Sequence, residues 1–257
     1  LMVNGEVIHR NVALSNGDKV TFIIPTEDST LIPEKDNLRI IYEDDTLLVV
    51  DKPAPMLTHP TVQSATGTLA NLIAGHYLAT SQRCGIHPVS RLDRNTSGLV
   101  LFAKNSLYHY LLTQSHITKT YLGIVEGQPT PLSGIITAPI SRKPGSIIER
   151  EVNFSQGQAA ETTYKVLNSN QKFSLVRFVL HTGRTHQIRV HCAYLGCPLV
   201  GDNLYGRTGP QTRHCLHAFQ LNFVQPFTNS LLSFTSPLPK DMVAMLKQVD
   251  LCYNNIV

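Results

Sequence analysis

No apolar run in this chain of 257 residues approaches about 18 residues, the length that crosses a bilayer. No basic stretch leading into an apolar one marks a secretion signal. A cytoplasmic protein without membrane association is therefore expected. Cysteine is sparse. The five residues Cys84, Cys192, Cys197, Cys215 and Cys252 are odd in number and include no CxxC pair, so reduced thiols are expected. There is no GxxxxGK[ST] and no strand-anchored GxGxxG, which argues against a nucleotide cofactor. The GxSxG elbow of acyl-transfer enzymes is missing as well. His181, His186, His191, Cys192, Cys197, His214, Cys215 and His217 crowd the second half, but none falls into HExxH or paired CxxC spacing. They read as ordinary polar or core residues, and no metal is expected. Charge of one sign is not abundant either. A formal net charge of +4 and a pI near 8.8 permit a polyanionic partner without demanding one. The chain begins at Leu1 rather than Met, as expected of a trimmed or processed chain or of one whose natural start is Met2.

What is present starts with a short β unit at 1–25. Met2 to Ile8 contains an Asn4-Gly5 hairpin signal. Val12 to Leu14 and Lys19 to Ile24 read as strands separated by a turn. Residues 26–37 are polar with a proline and read as a linker. From Leu38 a larger unit begins. Strands are expected at Leu38–Tyr42, Leu47–Asp51, Leu99–Ala103, Lys119–Gly127, Glu161–Leu167, Phe173–His181, Leu216–Phe223 and Leu231–Thr235. Thr68 caps a helix with Leu69, Leu72, Ile73 and Leu78 on one side. Further helices are expected from Ser106 to Leu112, from His186 to Leu195 with Thr185 as cap, and from Asp241 to Val249. Strands outnumber helices and rarely alternate with them, which indicates an α+β fold.

The residues that carry chemistry centre on Arg91-Leu92-Asp93-Arg94-Asn95-Thr96-Ser97-Gly98. An acid between two arginines, on a loop entering a buried strand, would be kept ionised by Arg91 and Arg94. The plain alternative is a surface ion-pair cluster worth under about 1 kcal/mol. Tyr121 and Arg189 lie on separate elements. If they meet Asp93, the ring can stack an extruded base and the guanidinium can position the carboxylate. The alternatives are a core tyrosine and a surface arginine.

Four blocks, in order, resemble the RluA-type pseudouridine synthases. They are Val50-Asp51-Lys52-Pro53 with His59-Pro60, the Arg91–Gly98 block, Lys119-Thr120-Tyr121-Leu122 with Val125-Glu126-Gly127, and His181-Thr182-Gly183-Arg184-Thr185-His186-Gln187-Ile188-Arg189-Val190-His191. The last block continues into Val200-Gly201-Asp202 and Tyr205-Gly206, and Leu216-His217-Ala218 follows. The resemblance implies a mixed, mostly antiparallel central sheet with flanking helices and an RNA-binding cleft over residues 38–257. It implies conversion of uridine to pseudouridine in ribosomal or transfer RNA, with no cofactor, by a monomer. By position Asp93 is the catalytic aspartate, Tyr121 packs on the target base and Arg189 pairs with the aspartate, with Arg184 a second candidate for that role. Arg91, Arg94, Lys52, Lys119, Arg184 and His186 are the implied RNA contacts. Residues 1–25 resemble the last part of an S-four-type RNA-binding domain. Pro55, Ser90 and Asn95 depart from the family's usual residues without removing a reacting group. Two other readings stand beside this one. One is an RNA-binding or ribosome-assembly factor that has lost catalysis. The other is a glycoside hydrolase, which needs a second carboxylate.

Overall fold

Asn4 and Gly5 both take positive φ, the geometry of a tight hairpin. They join β1 (Met2–Val3) to β2 (Glu6–Val7), and β3 (Val20–Thr21) pairs with the other side of β1. Val12 to Leu14, expected as a strand, forms none. Those three residues are exposed, with nothing apolar to cover them. The computed structural model describes residues 1–207 and 211–253.

The larger unit comprises β4 (Ile40–Glu43), β5 (Leu47–Lys52), α1 (Leu69–Ala79), β6 (His87–Pro88), β7 (Ser97–Ala103), α2 (Ser106–Gln114), β8 (Ile117–Glu126), β9 (Ser133–Ile136), β10 (Ile140–Arg142), β11 (Arg150–Val152), β12 (Thr162–Ser169), β13 (Phe173–Leu180), α3 (Gln187–Tyr194), β14 (Leu216–Val224), β15 (Leu231–Thr235) and α4 (Lys240–Gln248). Ten strands form one sheet in the order β4-β5-β7-β14-β8-β13-β12-β9, with β15 beside β14 and β6 beside β7. Only β7 and β14 run parallel, and the remaining pairs are antiparallel. β10 and β11 form a separate two-stranded hairpin. The α+β expectation, with a mixed and mostly antiparallel sheet, is what the chain adopts.

Alternation along the strands sends side chains to two faces. Leu48 and Val50 of β5 join Leu69, Ile73 and Tyr77 of α1 and Ile188 and Cys192 of α3. Leu47 and Val49 face the other way, with Tyr108 and Leu112 of α2. Leu122, Ile124 and Leu175 lie beneath Met242, Met245 and Leu246 of α4. Both faces are thus covered, and β7 is buried along its whole length. Thr68 caps α1 as expected, through a reciprocal pair of bonds with Asn71. Leu78, assigned to the apolar side, is exposed, and Tyr77 takes the buried place. The segment 26–37 is not a free tether. Glu27 accepts a hydrogen bond from the Ser106 amide and meets His87, Arg83 pairs with Asp28, and Asn71 donates to the Ile32 carbonyl.

Candidate active site

Residues 89–96 form the loop from β6 to β7 that carries Asp93. The Thr96 amide donates to the Asp93 carbonyl at 3.0 Å, closing a turn. Two buried cations hold the carbonyls that follow. Lys52 Nζ donates to Arg94 O at 3.3 Å, Met56 O at 2.7 Å and Pro53 O at 3.1 Å. Arg213 Nη1 donates to Asn95 O at 3.0 Å while its Nε and Nη2 engage Asp241 of α4. Thr58 Oγ1 bonds both the amide and the carbonyl of Leu92. Thr96 Oγ1 lies 2.8 Å from His214 Nε2, and burial pushes that imidazole down to about 4, so it is neutral at pH 7. The loop is fixed on both sides of Asp93, and its carboxylate is left partly exposed.

Lys52, implied as an RNA contact, is instead fully buried. Burial lowers its pKa to about 7, against the pull of the Asp93 charge. Its ammonium is spent on backbone carbonyls. Arg91 and Arg94, expected to hold Asp93 ionised, are exposed and make no ion pair with it. The cations facing Asp93 come from α3 and its approach.

That approach is pinned by Gln187. Its Oε1 accepts from Thr182 Oγ1 and the Arg184 amide, and its Nε2 donates to Glu161 O and Thr162 Oγ1. Thr185 does not cap the helix. His186 occupies the cap position with φ of 58°, and no side chain bonds there. This left-handed turn swings the imidazole inward, where Nδ1 is 2.7 Å from the Tyr205 hydroxyl and Nε2 is 3.9 Å from Asp93. Burial lowers the His186 pKa, an effect the Asp93 charge opposes. Three residues on, the Arg189 guanidinium is shared. Nε and Nη2 each bond the buried Asp202 carboxylate at 2.8 Å, and Nη1 reaches Asp93 Oδ2 at 3.4 Å. The Tyr205 ring lies 4.9 Å from the guanidinium carbon. Burial alone would raise the Asp202 pKa, but the Arg189 hydrogen bonds and charge overcome it and lower the value.

Asp93, Tyr121 and Arg189 line one cavity of about 620 Å³. Tyr121 comes from β8. It is buried, its hydroxyl makes no hydrogen bond among the described residues, and burial together with the Asp93 charge raises its pKa. Arg91, Lys119, Arg184 and His186 share the lining, whereas Lys52 and Arg94 do not. Burial lowers the Lys119 pKa. Asp93 is the one carboxylate among the lining residues, so a paired-carboxylate hydrolase has no second acid here. The sequence reading gave no role to Asp202, Tyr205, Thr96, Arg213 or His214. Asp202 and Tyr205 stood inside a matched block, and that was their only signal.

Comparison with known proteins agrees with this architecture. A family profile described as RNA pseudouridylate synthase matches residues 46–194. A Bacillus subtilis (strain 168) protein described as the uncharacterized RNA pseudouridine synthase YhcT is 42% identical over 250 residues, covering 94% of this chain and 82% of that protein. Ribosomal large subunit pseudouridine synthase D of Pasteurella multocida (strain Pm70) is 34% identical over 274 residues, covering 98% of this chain and 83% of that protein. The solved structure of human RNA pseudouridylate synthase domain containing 4 superposes with a TM-score of 0.67 at 24% identity, covering 84% of this chain and 95% of that one, and shares the fold.

Proposed function

The chain belongs to the RNA pseudouridylate synthase family, and from that premise we propose that Asp93 is its catalytic carboxylate, Tyr121 the wall on which the target base packs, and Arg189 the residue that positions Asp93. The reaction is the isomerisation of uridine to pseudouridine in RNA. The N1–C1′ bond breaks, the base turns, C5 bonds to C1′, and the C5 hydrogen is lost as N1 gains one. No electron transfer and no external acceptor enter this balance, so the reading calls for no cofactor. Asp93 can attack C1′, add to C6, or take a sugar proton to give a glycal, and each role requires the ionised carboxylate. The observation that carries the reading is the single partly exposed carboxylate, 3.4 Å from Arg189, in a cavity that also holds Tyr121. Extruding the base costs a few kcal/mol, and base stacking on an aromatic ring returns about 1–3 kcal/mol.

Ribosomal RNA is the favoured substrate class, because the Pasteurella multocida relative is named for the large ribosomal subunit. Transfer RNA is the competitor. Arg91, Arg184 and Lys119 are the proposed backbone contacts, and the chain acts as a cytoplasmic monomer. The test is tritium release from unmodified RNA labelled at C5 of uridine. Wild type is expected to release tritium and Asp93→Asn is not, while the variant retains RNA affinity. Near-normal release by Asp93→Asn overturns the assignment. No release by wild type from either RNA favours a binding-only protein.

A further inference from the structure

Arg142 on β10 and Arg150 on β11 stand directly opposite one another in register. Like charges at paired positions of antiparallel strands repel, because their Cβ atoms are only about 4.5–5.5 Å apart. Ser141 and Glu151 form the neighbouring pair and point to the other face of the hairpin. The two arginines, with Arg184, line a second cavity of about 340 Å³ whose other lining residues are Ile140, Ser141, Gln156, Gln158 and Thr185. No carboxylate lines it, and none of the three arginines forms an ion pair among the described residues. The Arg142 guanidinium makes no hydrogen bond there. Arg184 spends only Nε, on Ala159 O at 3.0 Å. Arg150 spends Nη1 on the Ile148 and Glu149 carbonyls. Three guanidiniums converge with most of their donors free. Arg184 and Thr185 line this cavity and the catalytic cavity alike, so the two are adjacent.

We propose that the cavity between the β10–β11 hairpin and the Arg184 loop is a phosphodiester subsite that holds the RNA backbone beside the target uridine. The chemistry is that of guanidinium forks on phosphate oxygens. The proposal rests on the reading that the chain acts on RNA, and it adds residues outside the catalytic cavity to the grip on that RNA. A phosphate here relieves the Arg142–Arg150 repulsion and anchors the strand one cavity away from Asp93. Backbone contacts of this kind supply affinity and register rather than base identity.

The experiment measures binding of a labelled oligouridylate and of an unmodified large-subunit ribosomal RNA transcript across a salt series. It uses Asp93→Asn as the parent, so that turnover does not intrude. Each phosphate neutralised contributes about 0.7 to the slope of log K against log salt on single strands and about 0.9 on duplex. Adding Arg142→Gln and Arg150→Gln together is expected to lower the slope by about 1 and weaken binding about 10-fold at low salt. Arg142→Lys with Arg150→Lys, which keeps the charge, is expected to restore most of the slope. In the Asp93 enzyme the glutamine pair raises KM more than it lowers kcat. An unchanged slope in the glutamine pair overturns the subsite. An equal loss from Arg177→Gln, an exposed arginine outside both cavities, also overturns it, because diffuse charge would then account for the effect. Wild type that binds with this arginine dependence yet releases no tritium would sink the catalytic reading and leave the subsite standing.

Discussion

Asp202 grips the Arg189 guanidinium through two hydrogen bonds of 2.8 Å, and that grip leaves Nη1 as the nitrogen that reaches Asp93. The buried acid therefore sets the position of the cation, and the cation sets that of the partly exposed acid. Asp202 is itself oriented by the amides of Leu204 and Tyr205, so the chain of positioning ends in backbone.

Asp202→Asn removes the charge that anchors Arg189. Breaking one side of a buried pair costs about 3–5 kcal/mol, and urea denaturation at pH 7 is expected to read a loss near the lower figure because Arg189 keeps Asp93. The folded pKa of Asp202 is lowered, so its contribution is present above the unfolded value and fades as pH falls through the folded one. The gap in stability between wild type and variant should accordingly narrow below pH of about 4. Turnover should fall about 10-fold or more, with RNA affinity largely kept.

Lys52 predicts a pH trend of the same sign in a higher window. Its folded pKa is about 7, below the ordinary 10.5, so the unfolded chain binds more protons between those values. Stability then rises with pH through that window, by at most about 1.4 kcal/mol per unit. Denaturation of wild type and Lys52→Met at pH 7 and pH 9 should show wild type gaining relative to the variant. The salt slope of RNA binding should stay unchanged in Lys52→Met, whereas Lys119→Met should lower it.

Gly98 has φ of 111°, and a Cβ there would run into the carbonyl of Ala218 across the parallel β7–β14 contact. Gly98→Ala is expected to lose about 1–3 kcal/mol from backbone strain alone, with the clash added. A thermal melt checks this, and an unshifted Tm would contradict it.

Tyr121→Phe should unfold at the wild-type denaturant midpoint or slightly above it, because the lost hydroxyl has no protein partner among the described residues. Tyr121→Leu removes the ring. With stacking worth about 1–3 kcal/mol per base, it should slow single-turnover tritium release about 10-fold or more.

The meeting of Asp93, Tyr121 and Arg189 was legible in the sequence because long ordered motifs carry it, and strand alternation revealed the α+β plan. Other features were not legible, for physical reasons. A lysine read from sequence is a surface cation, and only the carbonyls of residues 53, 56 and 94 converging on one point make its burial tolerable. Arg91 and Arg94 neighbour Asp93 along the chain, yet both are exposed and neither pairs with it, because His186 and Arg189 face its carboxylate instead. Thr185 has the chemistry of a cap, yet the left-handed His186 displaces it. Asp202 carried no signal of its pairing, since its partner lies 13 positions earlier on a helix.

The segment before β4 sets where the larger unit begins. Its backbone lies so close to α1 that a Cβ at Gly75 would overlap the Glu34 carbonyl, and Leu31 packs onto the core. Glu34 also receives the Gly67 amide, one residue before the α1 cap. Cutting after Asn37 would uncover one flank of the helix that backs the catalytic face. Cleavage near Thr26 would leave that flank sheathed, so the smallest self-sufficient enzyme should begin about a dozen residues earlier than its first long strand.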